Sequence, residues 1–359
     1  MNLGTRLPFA SLAFALLLSA PAALADGDER GGDDQPTTRI SVLGTLARID
    51  RQGPHSVSVK GTCNEGPVRN FQLERVTLQS APGQVAVIAA PDHNRPVISI
   101  RESSSITISG FDLSGGNIGV FINASSPVAI DSVAIHDNLV GMVVRQRSNL
   151  SLIRSSVNHN RNNGISVGES RLSLDHVELA GNAGHGMIAG YVSSTFANEV
   201  TARDNGQVGV WFSTSSALAL TASRLENNGV AGLRVSENSH AELNGGNVIR
   251  GNGAADPTVG GVYVARQAEL TFNGQNEISG NAGPGVHAVA HSTLSSAGGT
   301  DIHGNGGANL RCKTESAIFG DPGTKSEMRC RRDEDDSSGA GARDDASRSS
   351  ALRDPAGDE

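Results

Sequence analysis

Eight asparagines recur along the middle of this chain: Asn138, Asn160, Asn182, Asn205, Asn228, Asn252, Asn281 and Asn305, at intervals of 22, 22, 23, 23, 24, 29 and 24 residues. A short fixed period constrains a fold strongly, because each repeat is too small to bury its own apolar face and must stack on its neighbours. A glycine follows each of the first seven asparagines: Gly141, Gly164, Gly186, Gly209, Gly232, Gly261 and Gly285. After each glycine comes an alternating segment. Its first position reads Met142, Ile165, Met187, Val210, Leu233, Val262 and Val286, and its third reads Val144, Val167, Ala189, Phe212, Val235, Val264 and Ala288. Both columns are apolar throughout. The position between them varies freely: Val143, Ser166, Ile188, Trp211, Arg234, Tyr263 and His287. Period two with one uniform face and one variable face predicts a β-strand buried on one side.

Each repeat holds further alternating pairs, such as Leu150 with Leu152, Leu172 with Leu174, Val133 with Ile135, and Val177 with Leu179. One coil therefore carries about three short strands separated by Ser, Asn and Gly turns, and stacking pairs each strand with its copy in the next coil. The asparagines are expected at turns, in the left-handed conformation, bonding backbone groups and one another. The glycines are expected to permit positive φ at a corner. A leucine-rich repeat is the rival frame, since Ile130, Val133, Ile135 and Asn138 fit it, as do Leu174, Val177, Leu179 and Asn182. Ser155, Ala202 and Ser223 break that frame, and the segment after each Asn alternates as a strand rather than a helix. The fold class is all-β, a parallel solenoid.

Composition agrees. Of 359 residues 44 are Gly and only 3% are aromatic, so burial must come from many small aliphatic contacts. The formal net charge is −8 and no run of Lys and Arg offers a basic face, so no nucleic-acid partner is expected.

The ends read differently from the middle. Residues 1–25 have the form of a signal peptide, with Arg6, an apolar stretch at residues 9–18 and the small residues Ala23 and Ala25 before the cleavage point. Export to the periplasm or the cell exterior is the expectation. No Cys follows the apolar stretch, so no lipid anchor is expected, and no membrane span is expected elsewhere. Residues 26–38 read as a disordered linker, residues 39–312 as the solenoid, residues 313–330 as its C-terminal cap, and residues 331–359 as a disordered tail. The long interval before Asn281 holds an insertion at residues 254–259, whose Asp256 and Pro257 predict a projecting loop. Cys312 and Cys330 are the expected disulfide, which leaves Cys63 as a small buried residue.

Coil length, the internal Asn ladder and the Gly-apolar-x-apolar strands resemble the right-handed parallel β-helix proteins of the pectate-lyase-like superfamily, over roughly residues 40–312. Residues 56–63 (SVSVKGTC) and 96–100 (PVISI) look like opening coils of the same kind. The resemblance implies a right-handed β-helix. That fold hosts lyases, hydrolases, epimerases and non-catalytic proteins, so function has to be sought in the variable columns.

Two columns qualify. Equivalent residues of adjacent coils lie roughly 4.8 Å apart, the spacing of neighbouring strands. One column pair brings Arg154, Asp175, His176, Asn198 and Glu199 onto one patch. A carboxylate or His there could move a proton, and Arg154 could neutralise a uronate or developing negative charge. These are the candidate catalytic residues, and the segment from Leu174 to His176 resembles the aliphatic-Asp-His segment of pectate lyases. The acidic cluster with which that family holds calcium is not evident, so no cofactor is expected, with calcium as the alternative the resemblance leaves open. Solvated ion pairs are the alternative reading of the patch. The second column is Trp211, Arg234, Tyr263 and His287, a candidate carbohydrate platform of stacked aromatics and a cation, or else ordinary variation on an exposed face. The expectation is an exported β-helix that binds polysaccharide or a cell-surface glycan. A polysaccharide lyase, hydrolase or epimerase is the alternative, and a structural or adhesion solenoid the next.

Overall fold

The computed structural model describes residues 51–313 and 315–320, the strand Met328–Cys330, and Val42 and Leu46. The expected signal peptide, linker and tail, and part of the expected cap, lie outside the described residues.

Every strand pairing is parallel and joins a strand to its equivalent one coil away. The described strands form three long sheets, of 12, 11 and 12 strands. One coil shows the plan. Asn149–Ile153 lies in the first sheet, Ser156–Asn158 in the second and Ile165–Gly168 in the third. Leu150, Leu152, Val157, Ile165 and Val167 point inward and are fully buried. The inward residues of all coils merge into one core that runs the length of the helix and includes Val42 and Leu46. It is aliphatic, punctuated by Phe111, Phe212 and Phe272.

The Asn ladder occupies the corner between the second and third sheets. Asn205 shows a complete rung. Its Oδ1 accepts from the Asn182 backbone N–H at 3.1 Å, and its Nδ2 donates to Leu179 O at 2.9 Å and to Asn228 Oδ1 at 2.9 Å. The left-handed residue at this corner is not the Asn, as expected from sequence, but the one before it: Asp137, His159, Gly181, Asp204 and Asn227 all have φ between 53° and 63°. Turning the chain one residue early frees the Asn side chain to point inward along the stack.

The glycine column also differs from expectation. Gly141, Gly164, Gly186 and Gly209 do not have positive φ. They are required by crowding, since a Cβ on Gly186 would sit 2.5 Å from Gly209 O and 2.9 Å from Asn205 Nδ2. The asparagine stack passes directly over the glycine, and only a hydrogen fits between.

Two further polar ladders complete the corners. Between the third and first sheets, buried serines bond the next coil: Ser148 N–H donates to Ser170 Oγ at 3.2 Å, Ser193 N–H to Ser216 Oγ and Ser216 N–H to Ser239 Oγ at 3.1 Å. Between the first and second sheets, Ser155, Ser223 and Asn247 play the same part, and Asn276 extends the ladder by accepting from the Asn247 side-chain amide at 2.8 Å. Buried backbone donors at a corner have no strand partner, and these side chains satisfy them.

Ala317–Gly320 and Met328–Cys330, within the expected cap, add strands to the first and third sheets. Cys312 is disulfide-bonded, the strand register sets Cys330 opposite it, and Cys63 is free.

Candidate functional site

The column pair predicted as catalytic lies at the corner between the first and second sheets. Asp175 and Asn198 pair as the last residues of adjacent first-sheet strands. Arg154, His176 and Glu199 follow as the left-handed corner residues, with φ of 45°, 54° and 51°. Their side chains engage one another. His176 Nδ1 lies 3.2 Å from Asp175 Oδ2, and its Nε2 lies 2.8 Å from Glu199 Oε2. Asn198 Nδ2 donates to Asp175 Oδ1 at 2.8 Å. That hydrogen bond, then the one from His176, holds the Asp175 carboxyl below its usual range. Arg154 turns to the preceding coil and pairs with Asp131. The patch is therefore assembled, on an open corner, with its charges facing each other.

The second column lies on the outer face of the third sheet. The register runs Ser166, Ile188, Trp211, Arg234, Tyr263, His287 and Arg311, one residue per coil. The Arg234 guanidinium stacks between two rings, 4.5 Å from the Trp211 centroid and 5.4 Å from that of Tyr263. Tyr263 meets His287 edge to face at 5.5 Å, and Trp211 meets His185 the same way at 4.9 Å. Trp211 Nε1 donates to Ser236 Oγ at 3.1 Å.

This face is more enclosed than the sequence suggests. His287 is only 8% exposed, whereas Trp211, Arg234 and Tyr263 are half-buried. At His287 the insertion at residues 254–259 supplies the cover. It folds back over the next coil, where Thr258 O accepts from His287 Nδ1 at 3.1 Å. Asp256 Oδ1 holds the loop by accepting from Thr258 N–H at 3.0 Å and from its hydroxyl at 2.6 Å. The loop expected to project is in part a wall.

Enclosure sets the charge state of both histidines. Burial, then the nearby Arg234, pushes His185 down to about 4. Burial, then Arg311, brings His287 down to about 4 as well, with the Thr258 bond opposing and Lys313 adding. Both rings are neutral at pH 7. With Nδ1 committed to Thr258, His287 Nε2 is left an acceptor, and it has no hydrogen-bond partner. Toward the start of the same column, Ile118, Phe121 and Val143 form a small apolar cluster outside the main core.

Sequence reasoning missed His185, Thr258 and the cluster around Phe121. His185 precedes Gly186 at a position with no periodic pattern. Thr258 belongs to an insertion that has no copy in other coils. Among the described residues no group of three or more His, Cys, Asp or Glu is arranged to hold a metal ion, and no helix is long and apolar enough to cross a membrane.

Residues 140–306 match the family model described as the right handed beta helix region. No curated protein matches the chain. Among solved structures, the A-module of a mannuronan C-5 epimerase from Azotobacter vinelandii superposes with a TM-score of 0.54 at 15% identity, covering 77% of this chain and 88% of that one. Tailspike protein 2 of an Escherichia coli bacteriophage superposes with the same TM-score of 0.54 at 12% identity, covering 80% of this chain but only 45% of the tailspike. At such identities the likeness is one of fold.

Proposed function

We propose that this right-handed parallel β-helix of the pectate-lyase-like fold is an exported protein that binds polysaccharide along the outer face of its third sheet. The observation that carries the reading is the stack of Trp211, Arg234, Tyr263 and His287 on four successive coils. Rings and a planar cation held at strand spacing suit a chain of sugars, whose C–H faces stack on aromatics and whose hydroxyls take hydrogen bonds. Arg311, beside His287, supplies positive charge for an acidic glycan. The epimerase, named for an acidic polysaccharide, supports a glycan ligand as a relative in fold.

A second reading, polysaccharide modification, draws on the corner patch. His176 lies between Asp175 and Glu199 with Arg154 one coil away, parts that could move a proton at a uronate. A lyase, hydrolase or epimerase reaction would use them.

One screen separates the readings. The full chain is titrated with mannuronan, pectate and neutral glucans, and each mixture is assayed for turnover. Binding without turnover, weakened in Trp211→Ala, supports the binding protein. Turnover that disappears in His176→Ala and Glu199→Ala supports the enzyme. Absence of binding to every polysaccharide removes both and leaves a structural solenoid.

A further inference from the structure

The corner where the third sheet turns into the first holds a cavity of about 260 Å³, lined by Arg145, Gln146, Gly168, Glu169 and Tyr191. It arises from a length difference between coils. Two left-handed residues make this corner in each flanking coil, Gln146 with Arg147 and Tyr191 with Val192, whereas Glu169 alone makes it in the coil between. The strand leading into Glu169 ends in Gly168, where a Cβ would meet nothing nearer than Arg145 Cγ at 4.0 Å. One residue short and without a side chain at its last strand position, the middle coil leaves a hollow beneath its neighbours.

We propose that this hollow is a subsite for one neutral pyranose ring of the bound glycan, an inference that rests on the polysaccharide reading above. Tyr191, 41% exposed, offers a flat face to the C–H side of a sugar. The Glu169 carboxylate and the Gln146 amide can bond neighbouring hydroxyls, and Arg145 can donate to a ring or hydroxyl oxygen. One cation and one carboxylate leave no net charge in the lining, so a neutral ring suits it better than a uronate. Its volume falls below the about 300 Å³ at which pockets for drug-sized ligands begin, which fits one ring rather than several. Position also fits. Gly168 pairs with Gly190, and Ile188 of that same strand pairs with Trp211. The hollow therefore opens one coil from the first ring of the aromatic stack, and a chain seated on Trp211 and Tyr263 can reach it. The specificity that follows is mixed: a neutral sugar at the Tyr191 end, and tolerance of acidic sugars toward Arg311.

The chain has two tyrosines, Tyr191 in the hollow and Tyr263 in the stack, so each site carries its own reporter. Full-length protein labelled with 3-fluorotyrosine gives one fluorine NMR signal for each, assigned with Tyr191→Phe and Tyr263→Phe. It is titrated with cellotetraose and with a mannuronate tetrasaccharide. The expected result is a shift of the Tyr191 signal with cellotetraose but not with mannuronate. Gly168→Val, which fills the hollow, should remove that shift and weaken cellotetraose binding at least about tenfold. Glu169→Gln, an exposed and isosteric change, should weaken it in the same direction should the valine variant fail to fold. A Tyr191 signal that stays still while Tyr263 responds overturns the subsite and leaves the polysaccharide reading standing. An equal response of Tyr191 to mannuronate overturns the neutral preference. Silence of both tyrosines with both sugars overturns the subsite and the stack together.

Discussion

The guanidinium of Arg234 lies 4.5 Å from the ring centroid of Trp211, one coil away on the outer face of the third sheet. The parallel register puts the two residues side by side, and Ser236, on the Arg234 strand, fixes the indole through its Nε1. A half-buried cation–π pair of this kind contributes on the order of 1 kcal/mol. Replacing Arg234 by Leu is therefore expected to leave the far-UV circular dichroism unchanged, because the inward strand residues are untouched. Trp211 is the only tryptophan in the chain, so its emission reports the loss of the cation directly. Polysaccharide affinity should drop about tenfold, the equivalent of about 1.4 kcal/mol. Unchanged emission and affinity would show that the stack is packing alone.

The buried histidines give the fold an acid limit. Each has a folded-state value of about 4 against an ordinary value near 6.5. Between those values the unfolded chain binds more protons than the folded one, so stability rises with pH across that window. It is fully present above about pH 6.5, falls as the pH drops toward 4, and levels off below. The full shift corresponds to at most about 3 kcal/mol for each ring. Urea midpoints at pH 7.0, 5.5 and 4.5 should decline steeply for the wild type. They should decline less for His185→Gln and His287→Gln, and least for the double variant.

Two glycines on the third-sheet side of the same coils should respond oppositely to alanine. At Gly186 the added Cβ meets Gly209 O at 2.5 Å, backbone that cannot move without parting two coils. A cost of about 3 kcal/mol is expected. At Gly168 the nearest atom is at 4.0 Å, so alanine should be neutral or slightly stabilising. The ladder above Gly186 gives a parallel test. Asn205→Ala strips the partner from the Asn182 N–H and from Leu179 O, which should cost about 3 kcal/mol. Chemical denaturation of the three variants, compared at equal slope, checks the order.

These positions also show what was legible in the sequence. Columns such as Met187, Val210 and Leu233 announce inward strand positions because the core admits only apolar side chains there, and that restriction repeats in every coil. The Asn and Gly columns announced themselves for the same reason, although the physical role of each was different: Asn205 caps backbone rather than turning the chain, and Gly186 makes room rather than adopting positive φ. Ser155 and Ser223 were visible only as interruptions of another repeat, since a serine bonding its neighbour's backbone has no hydrophobic signal. Register alone placed Trp211 beside Arg234 and Asp175 beside Asn198. Enclosure could not be read that way. The cover over His287 comes from Thr258 in a single insertion, and the hollow beside Tyr191 comes from one residue missing at Glu169. Both are departures from the period, and a period predicts only what repeats.

The corner patch allows a last test that separates its parts. Asp175 is held below its usual range first by the Asn198 hydrogen bond, then by that from His176, with the His176 and Arg154 charges adding. The ordering has a consequence for variants. Asn198→Ala should move the Asp175 titration midpoint upward by removing the largest single contribution, and His176→Gln should move it upward by removing both a hydrogen bond and a charge. Carboxyl-carbon NMR titration between pH 2 and 6 reads the midpoints. Because the folded value is depressed, the stabilisation from these bonds is present above the ordinary Asp range and fades as pH falls through the lowered midpoint. In Asn198→Ala that stabilisation should be smaller and its loss complete at a higher pH. The same variants also weigh the patch as chemistry. If it moves protons on a glycan, Asn198→Ala should shift the acid limb of turnover toward neutral pH, while a patch that only solvates the corner should leave mannuronan affinity unchanged in both variants.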